Sequence, residues 1–185
     1  MDSIDLPTDP VALLGDLSIR LLSEPLLSRW EERRHLPEVV RTAALLIDLD
    51  SALLMNGLSA LVENSIGGYL PEIIAALDTV GAAENARALR TMQGIMAKHQ
   101  ITHAMMRADF ERLEVHAITN FHELHGDAAS AMLDELESEV SPQLYVNRQD
   151  GENPIDLLET YVALHDSELR RLIVEAHQTP PSERP

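Results

Sequence analysis

The feature that most constrains this chain is a helical rhythm of apolar residues, broken at intervals by proline and glycine. After Thr8-Asp9-Pro10, where a capping oxygen precedes a proline at the first helical position, Val11, Leu14, Leu17, Leu21 and Leu22 recur at three- and four-residue spacing. Pro25 opens a short second helix through Trp30 and the mixed run Glu31-Glu32-Arg33-Arg34. Pro37 opens a third, with Val40, Ala44, Ile47 and Leu54 periodic, ending near Asn56-Gly57. Leu58 to Asn64 reads as a short helix stopped by Gly67-Gly68. Pro71 starts the next, with Ile73, Ile74, Leu77 and Val80 inward and Gly81 as C-cap. Ala83 to Ala97 follows (Ala86, Leu89, Met92, Met96), then weaker helical patterns over Met105–Leu113 and Ile118–His125. Asp127 to Val140 is amphipathic. Beyond Pro142 and a loop through Gly151, Asn153-Pro154 caps a long last helix to about Ala176. No alternating, β-branched run asserts a strand, and Leu144-Tyr145-Val146 is too short. The expected fold is all-α: a compact multi-helix single domain of about eight to ten helices over residues 1–177, with a disordered tail at 178–185.

Composition agrees with helix-on-helix packing. Apolar residues make up 45% of the chain but aromatics only 3%, so the core must be aliphatic, and Leu, Ala and Met also favour helix locally. With no cysteine there is no disulfide, thiolate nucleophile or thiolate ligand. The acidic start Met1-Asp2-Ser3-Ile4-Asp5 lacks the basic and apolar segments of a signal peptide. Thr42 to Asn56 is interrupted by Asp48 and Asp50, so no membrane span is expected and the cytoplasm is the expected location.

Net charge is −17, and its distribution matters more than its size. Residues 123–168 carry twelve acids against Arg148 alone, whereas an even spread would leave only about −4 there. Such a field repels nucleic acid and anionic membranes and attracts basic surfaces or cations. An ordinary solubilising face mixes Lys or Arg with Glu to gain i,i+4 pairs; here like charges sit together.

The segment Asp48 to Ala82 resembles the signature of the DNA-mimic protein family, above all in Met55-Asn56-Gly57-Leu58-Ser59-Ala60-Leu61-Val62-Glu63-Asn64-Ser65-Ile66-Gly67. Gly57, Asn64, Ser65 and Gly67 match the family pattern, as do Ala76-Leu77 and Gly81-Ala82. Leu58, Leu61 and Val62 depart from it where Phe is usual, and Met55-Asn56 and Ile66 also differ. The same segment makes local sense without any family: Asn64-Ser65 can bond to nearby backbone, and Gly67 would supply the positive φ that turns one helix into the next. The resemblance implies an α-helical, often dimeric protein whose acidic surface stands in for DNA phosphates and occupies a basic DNA-binding protein, with no direct contact to nucleic acid.

The acids have a geometry that suits this. On Asp127–Val140, Ala129, Leu133, Leu136 and Val140 form one stripe, with Asp127 and Asp134 opposite and Glu135 and Glu137 on the flanks. On the last helix Leu158, Tyr161, Leu169 and Leu172 face inward and Asp156, Glu159 and Asp166 outward. As one continuous helix, Asp156 and Asp166 would lie about 15 Å apart along its axis. The loop acids Asp150 and Glu152 extend the row. The expected partner-binding set is therefore Asp127, Asp134, Glu135, Glu137, Asp150, Glu152, Asp156, Glu159 and Asp166, facing a transcriptional regulator or, alternatively, the basic site of a nuclease toxin. A different class of function, a metal-dependent hydrolase, would use His99, His103, His116, His122 and His125. His99 and His103 are at i,i+4 and His122 and His125 at i,i+3, but no Glu follows His99 as a zinc-protease helix requires. No phosphate loop or nucleophile elbow is present in the sequence, and neither catalysis nor a cofactor is expected.

Overall fold

The helix starts written in the sequence are made as local chemistry demands. A computed structural model of the chain describes residues 6–23, 37–63, 65–112 and 125–178. Helix α1 (Pro10–Ser23) begins with the Asp9 carboxylate accepting the Ala12 N–H at 2.9 Å, while Pro10 fills a position whose N–H would have no partner. Helix α2 (Glu38–Asn56) follows Pro37, whose carbonyl accepts the Arg41 N–H at 2.9 Å. Among the described residues every regular element is helical and no strand occurs. The short helix after Pro25, Asn64, most of Ile118–His125 and all but the first residue of the tail at 178–185 lie outside those residues.

The chain clusters into two compact units. One comprises residues 45–155. It contains the later turns of α2, a 3-10 turn at Gly57–Ser59, α3 (Ala60–Glu63), a 3-10 helix at Ser65–Tyr69, α4 (Leu70–Val80), α5 (Ala83–Lys98), α6 (His103–Arg112) and α7 (Asp127–Glu139). Leu46, Leu61, Leu70, Ile73, Leu77, Leu89, Met92, Met96 and Met106 are its most completely buried large side chains. Each such side chain contributes roughly 1.5–3 kcal/mol relative to exposure. Val80, expected inward, is half-buried.

Two turns and one close contact shape this unit. Helix α4 ends in a Schellman turn: Gly81 takes φ 86°, its N–H bonds Asp78 O at 3.1 Å, and the Ala82 N–H bonds Leu77 O at 2.8 Å. Helix α5 ends the same way without glycine, with Gln100 at φ 62°, Gln100 N–H on Ala97 O and Ile101 N–H on Met96 O. Gly67 corrects an expectation. Its φ is not positive, and it lies inside the 3-10 helix. It is required because a Cβ there would stand 1.6 Å from the Leu61 carbonyl oxygen and 2.3 Å from Met106 Cε. Nearby, Arg107 donates to Gly68 O at 2.7 Å and Glu72 Oε1 at 2.9 Å, and its guanidinium lies 4.4 Å over the Tyr69 ring.

The other unit combines α1, the first turns of α2, α8 (Pro154–Leu164) beyond its first turn, and α9 (Asp166–Gln178). Among the described residues its buried apolar side chains are Leu13, Leu14, Val39, Val40, Ala43, Ala44, Leu158, Val162, Leu169 and Ile173, with Thr42 also buried. Tyr161 and Leu172, expected inward, are half-buried. Arg170 donates to the Pro7 and Thr8 carbonyls and clasps both Asp166 oxygens at 2.8 Å. Asn153 caps α8 as expected, its Oδ1 accepting the Ile155 N–H at 3.0 Å. The expected single last helix is broken at His165. There the ring Nδ1–H donates to the Tyr161 carbonyl at 2.8 Å, an acceptor the His165 backbone N–H also approaches at 3.2 Å. The ten residues from Asp156 to Asp166 therefore span two helices rather than one.

A second correction concerns hydropathy. By length and composition the stretch Glu38–Glu63 is apolar enough to cross a membrane despite Asp48 and Asp50. The helix is interrupted after Asn56, and Val39, Val40, Leu45, Leu46, Leu49, Leu53, Leu61 and Val62 are buried against protein, while Leu54 and Met55 are exposed.

Candidate acidic partner-binding surface

Helix α7 divides cleanly by face. Ala129, Met132 and Leu136 are buried, as is Val140 just beyond; Met132 takes the place expected of Leu133, which is half-buried. Asp127, Asp134, Glu137 and Glu139 are exposed, and the helix carries no basic residue. Asp127 and Asp134 are two turns apart, about 10 Å along the axis, and Glu137 lies one turn further. Duplex DNA places a phosphate every 3.4 Å of axis per strand, so this face is a sparse row on that scale. Glu139 had not been assigned to the surface from sequence.

Not every acid of the expected set faces outward unaccompanied. Glu135 accepts two bonds from Lys98 Nζ, at 2.7 and 2.8 Å, and one from His99 Nε2 at 2.8 Å. Hydrogen bonds from Lys98, then His99, hold its carboxyl below the ordinary glutamate value. Asp150 is exposed, whereas Glu152 turns inward to cap α5, accepting the Glu84 N–H at 3.1 Å, the Asn85 N–H at 3.1 Å and Asn85 Nδ2 at 2.9 Å. Burial acts to raise the Glu152 carboxyl. The bonds from the Asn85 side chain and from the backbone N–H groups of Asn85, Glu84 and Ala83 together outweigh it, so the net shift is downward. Arg148, the one base of the acidic segment, reaches Glu84 at 2.6 Å.

The rest of the set belongs to the other unit. Asp156 is exposed, Glu159 half-exposed, and Asp166 is held by Arg170. The nine residues thus form two groups: Asp127, Asp134, Glu135, Glu137, Asp150 and Glu152 on one unit, and Asp156, Glu159 and Asp166 on the other.

Sequence reasoning missed the structural duty of Glu152, although a signal for it exists. Helix α5 starts at Gly81-Ala82-Ala83 with no local side-chain cap, and such a start needs a remote acceptor. The same loop is fastened by Tyr145, whose N–H bonds Asn85 Oδ1 at 3.1 Å and whose hydroxyl donates to Asp50. Burial, then the Asp50 carboxylate, pushes that hydroxyl's pKa up.

The histidines are dispersed among these elements. His99 pairs with Glu135, and His125 Nε2 lies 2.9 Å from Asp109 Oδ2. His103 is half-exposed and lines a shallow apolar pocket with Met96, Ala97 and Ile101. Among the described residues no three His, Asp or Glu side chains are grouped to hold a metal. His116 and His122 lie outside them.

Comparison with curated proteins and with solved structures returns no match. A family model described as DMP19-like protein matches residues 34–166, well over half of the chain and far beyond the Asp48–Ala82 segment whose residues resemble the DNA-mimic signature. With its helical fold, this chain belongs to the DMP19-like family of DNA-mimic proteins.

Proposed function

We propose that this chain is a cytoplasmic, non-catalytic protein that binds a basic DNA-binding protein, a transcriptional regulator, and keeps it from DNA. The observation that carries the reading is helix α7, which bears Asp127, Asp134, Glu135, Glu137 and Glu139 with no base, four of the five being exposed. Family membership supports it. Asp134 and Glu137, one turn apart, repel each other, and a basic partner would relieve that repulsion as it binds. Asp150 continues the charge on the same unit, and Asp156 and Glu159 supply acids on the other.

The experiment is a competition. A basic protein captured on the immobilised chain is challenged with duplex DNA over a range of salt. Release by DNA, together with steep weakening as salt rises, supports mimicry. A complex that persists under excess duplex and tolerates salt contradicts it.

A further inference from the structure

We propose that Asn56-Gly57 is a self-modification site, at which Asn56 deamidates through a cyclic imide to aspartate and isoaspartate. The Gly57 backbone nitrogen attacks Asn56 Cγ, a nitrogen–carbon bond forms, and the Cγ–Nδ2 bond breaks. Ammonia leaves with the proton that Gly57 nitrogen gives up. Water then opens the ring at either carbonyl, leaving a new carboxylate at residue 56. One opening leaves an ordinary aspartate, and the other routes the main chain through the side-chain carbon. Solvent water is the only co-reactant.

Four features favour the reaction here. Asn56 is exposed at the end of α2, with φ −134° and ψ 9°, away from helical dihedrals. Its side-chain amide makes no capping bond, so Cγ is not held away from the next nitrogen. Gly57, at φ 63°, carries no Cβ to crowd its attacking nitrogen. The Ser59 hydroxyl donates to the Asn56 carbonyl at 3.0 Å. That oxygen shares a peptide group with the Gly57 N–H, so the bond stabilises the anion formed when the nitrogen is deprotonated.

The other described asparagines lack this combination. Asn85 is 2% exposed with both ends of its amide engaged, by Glu152 and by the Tyr145 N–H. Asn147 Nδ2 is tied to Ser141 O at 2.9 Å and Ser141 Oγ at 3.0 Å, and the bulky Arg148 follows it. Asn153 precedes Pro154, which has no N–H to give up. An isoaspartate at residue 56 lengthens the main chain directly before Leu58 and Leu61, both buried.

The test uses the full chain, incubated in mildly alkaline buffer, digested and read by mass spectrometry with isoaspartyl methyltransferase labelling. The expected result is loss of the amide mass in the peptide containing Asn56, with an isoaspartyl product, while those containing Asn85 and Asn147 stay unchanged. Asn56→Gln should abolish the labelling at this peptide, and Ser59→Ala should slow it; both keep Gly57, and circular dichroism checks that they fold. An intact Asn56, or conversion of Asn85 or Asn147 at the same rate, overturns the proposal. A Ser59→Ala rate equal to that of the parent chain removes the hydroxyl from it.

Discussion

Replacing Glu152 by alanine should separate an acid that holds the fold from the acids that face a partner. Its carboxylate satisfies the Glu84 and Asn85 N–H groups at the otherwise uncapped start of α5, and the Nδ2 of an Asn85 that is 2% exposed. Loss of an N-cap costs about 1 kcal/mol, since water reaches the exposed Glu84 end. The buried Asn85 Nδ2 is not easily reached by water and keeps only the longer Glu152 carbonyl contact at 3.3 Å, which adds about 1–2 kcal/mol. The expected loss is therefore about 2–3 kcal/mol, or roughly 1 M in the urea midpoint at a slope of about 2–3 kcal/mol/M. Glu152→Gln keeps one acceptor without the charge and should lose about 1 kcal/mol. Because the folded Glu152 carboxyl is held below its ordinary value, its stabilisation is complete above the unfolded carboxylate range and fades as pH falls through the folded value. The gap between the parent chain and Glu152→Gln should accordingly narrow in acid. The assay is urea unfolding by circular dichroism, with the exposed Asp150→Ala as comparison. If Glu152→Ala and Asp150→Ala both stay within about 0.5 kcal/mol of the parent, the cap carries no weight and the reasoning fails.

Other substitutions probe the backbone. Gly67→Ala would drive a Cβ into the fixed Leu61 carbonyl and should cost more than about 4 kcal/mol or prevent folding, whereas Gly94→Ala, on an exposed helix face with open space, should stabilise by about 0.5–1 kcal/mol; thermal melts distinguish them. Gln100→Gly should add up to about 1 kcal/mol in the same melts by relieving a left-handed backbone at the end of α5, and a loss would mean the Gln100 side chain matters more than its φ. Arg107→Ala removes the bonds to Gly68 and Glu72 and the stacking on Tyr69, and should lower stability in urea by about 2–3 kcal/mol.

What was legible in the sequence is what is local. Asp9-Pro10, Pro37, Pro71 with Gly81, and Asn153-Pro154 mark real helix boundaries, because a cap or a proline acts within one turn of itself. The break at His165 was hidden, since Leu158, Val162 and Leu169 keep helical spacing across it, and the His165 ring nitrogen bonds the Tyr161 carbonyl there. Gly67 was singled out for the wrong reason: it avoids the Leu61 carbonyl six residues back and Met106, a tertiary neighbour that leaves no mark in a single sequence. The same limit applies to the acids. Asp134 and Glu137 on α7 are exposed as periodicity dictates, but the partners of Glu135, Glu152 and Asp166 come from residues 37, 67 and 4 positions away. Only the Asp166–Arg170 pair, at i,i+4, could have been read directly.

The central claim is that the exposed acids engage a basic DNA-binding protein in the manner of DNA, and charge-neutral variants test it most directly. Asp127→Asn, Asp134→Asn and Glu137→Gln combined change only exposed positions, so stability should hold within about 0.5 kcal/mol. Affinity for the captured basic protein is then measured against the parent chain, in competition with duplex DNA and across salt. The triple variant should lose most of its affinity and its ability to compete, with a shallower salt dependence, while neutralising Glu31, Glu32 and Glu38 should do much less. Unchanged binding by the triple variant, or equal losses from both sets, contradicts it.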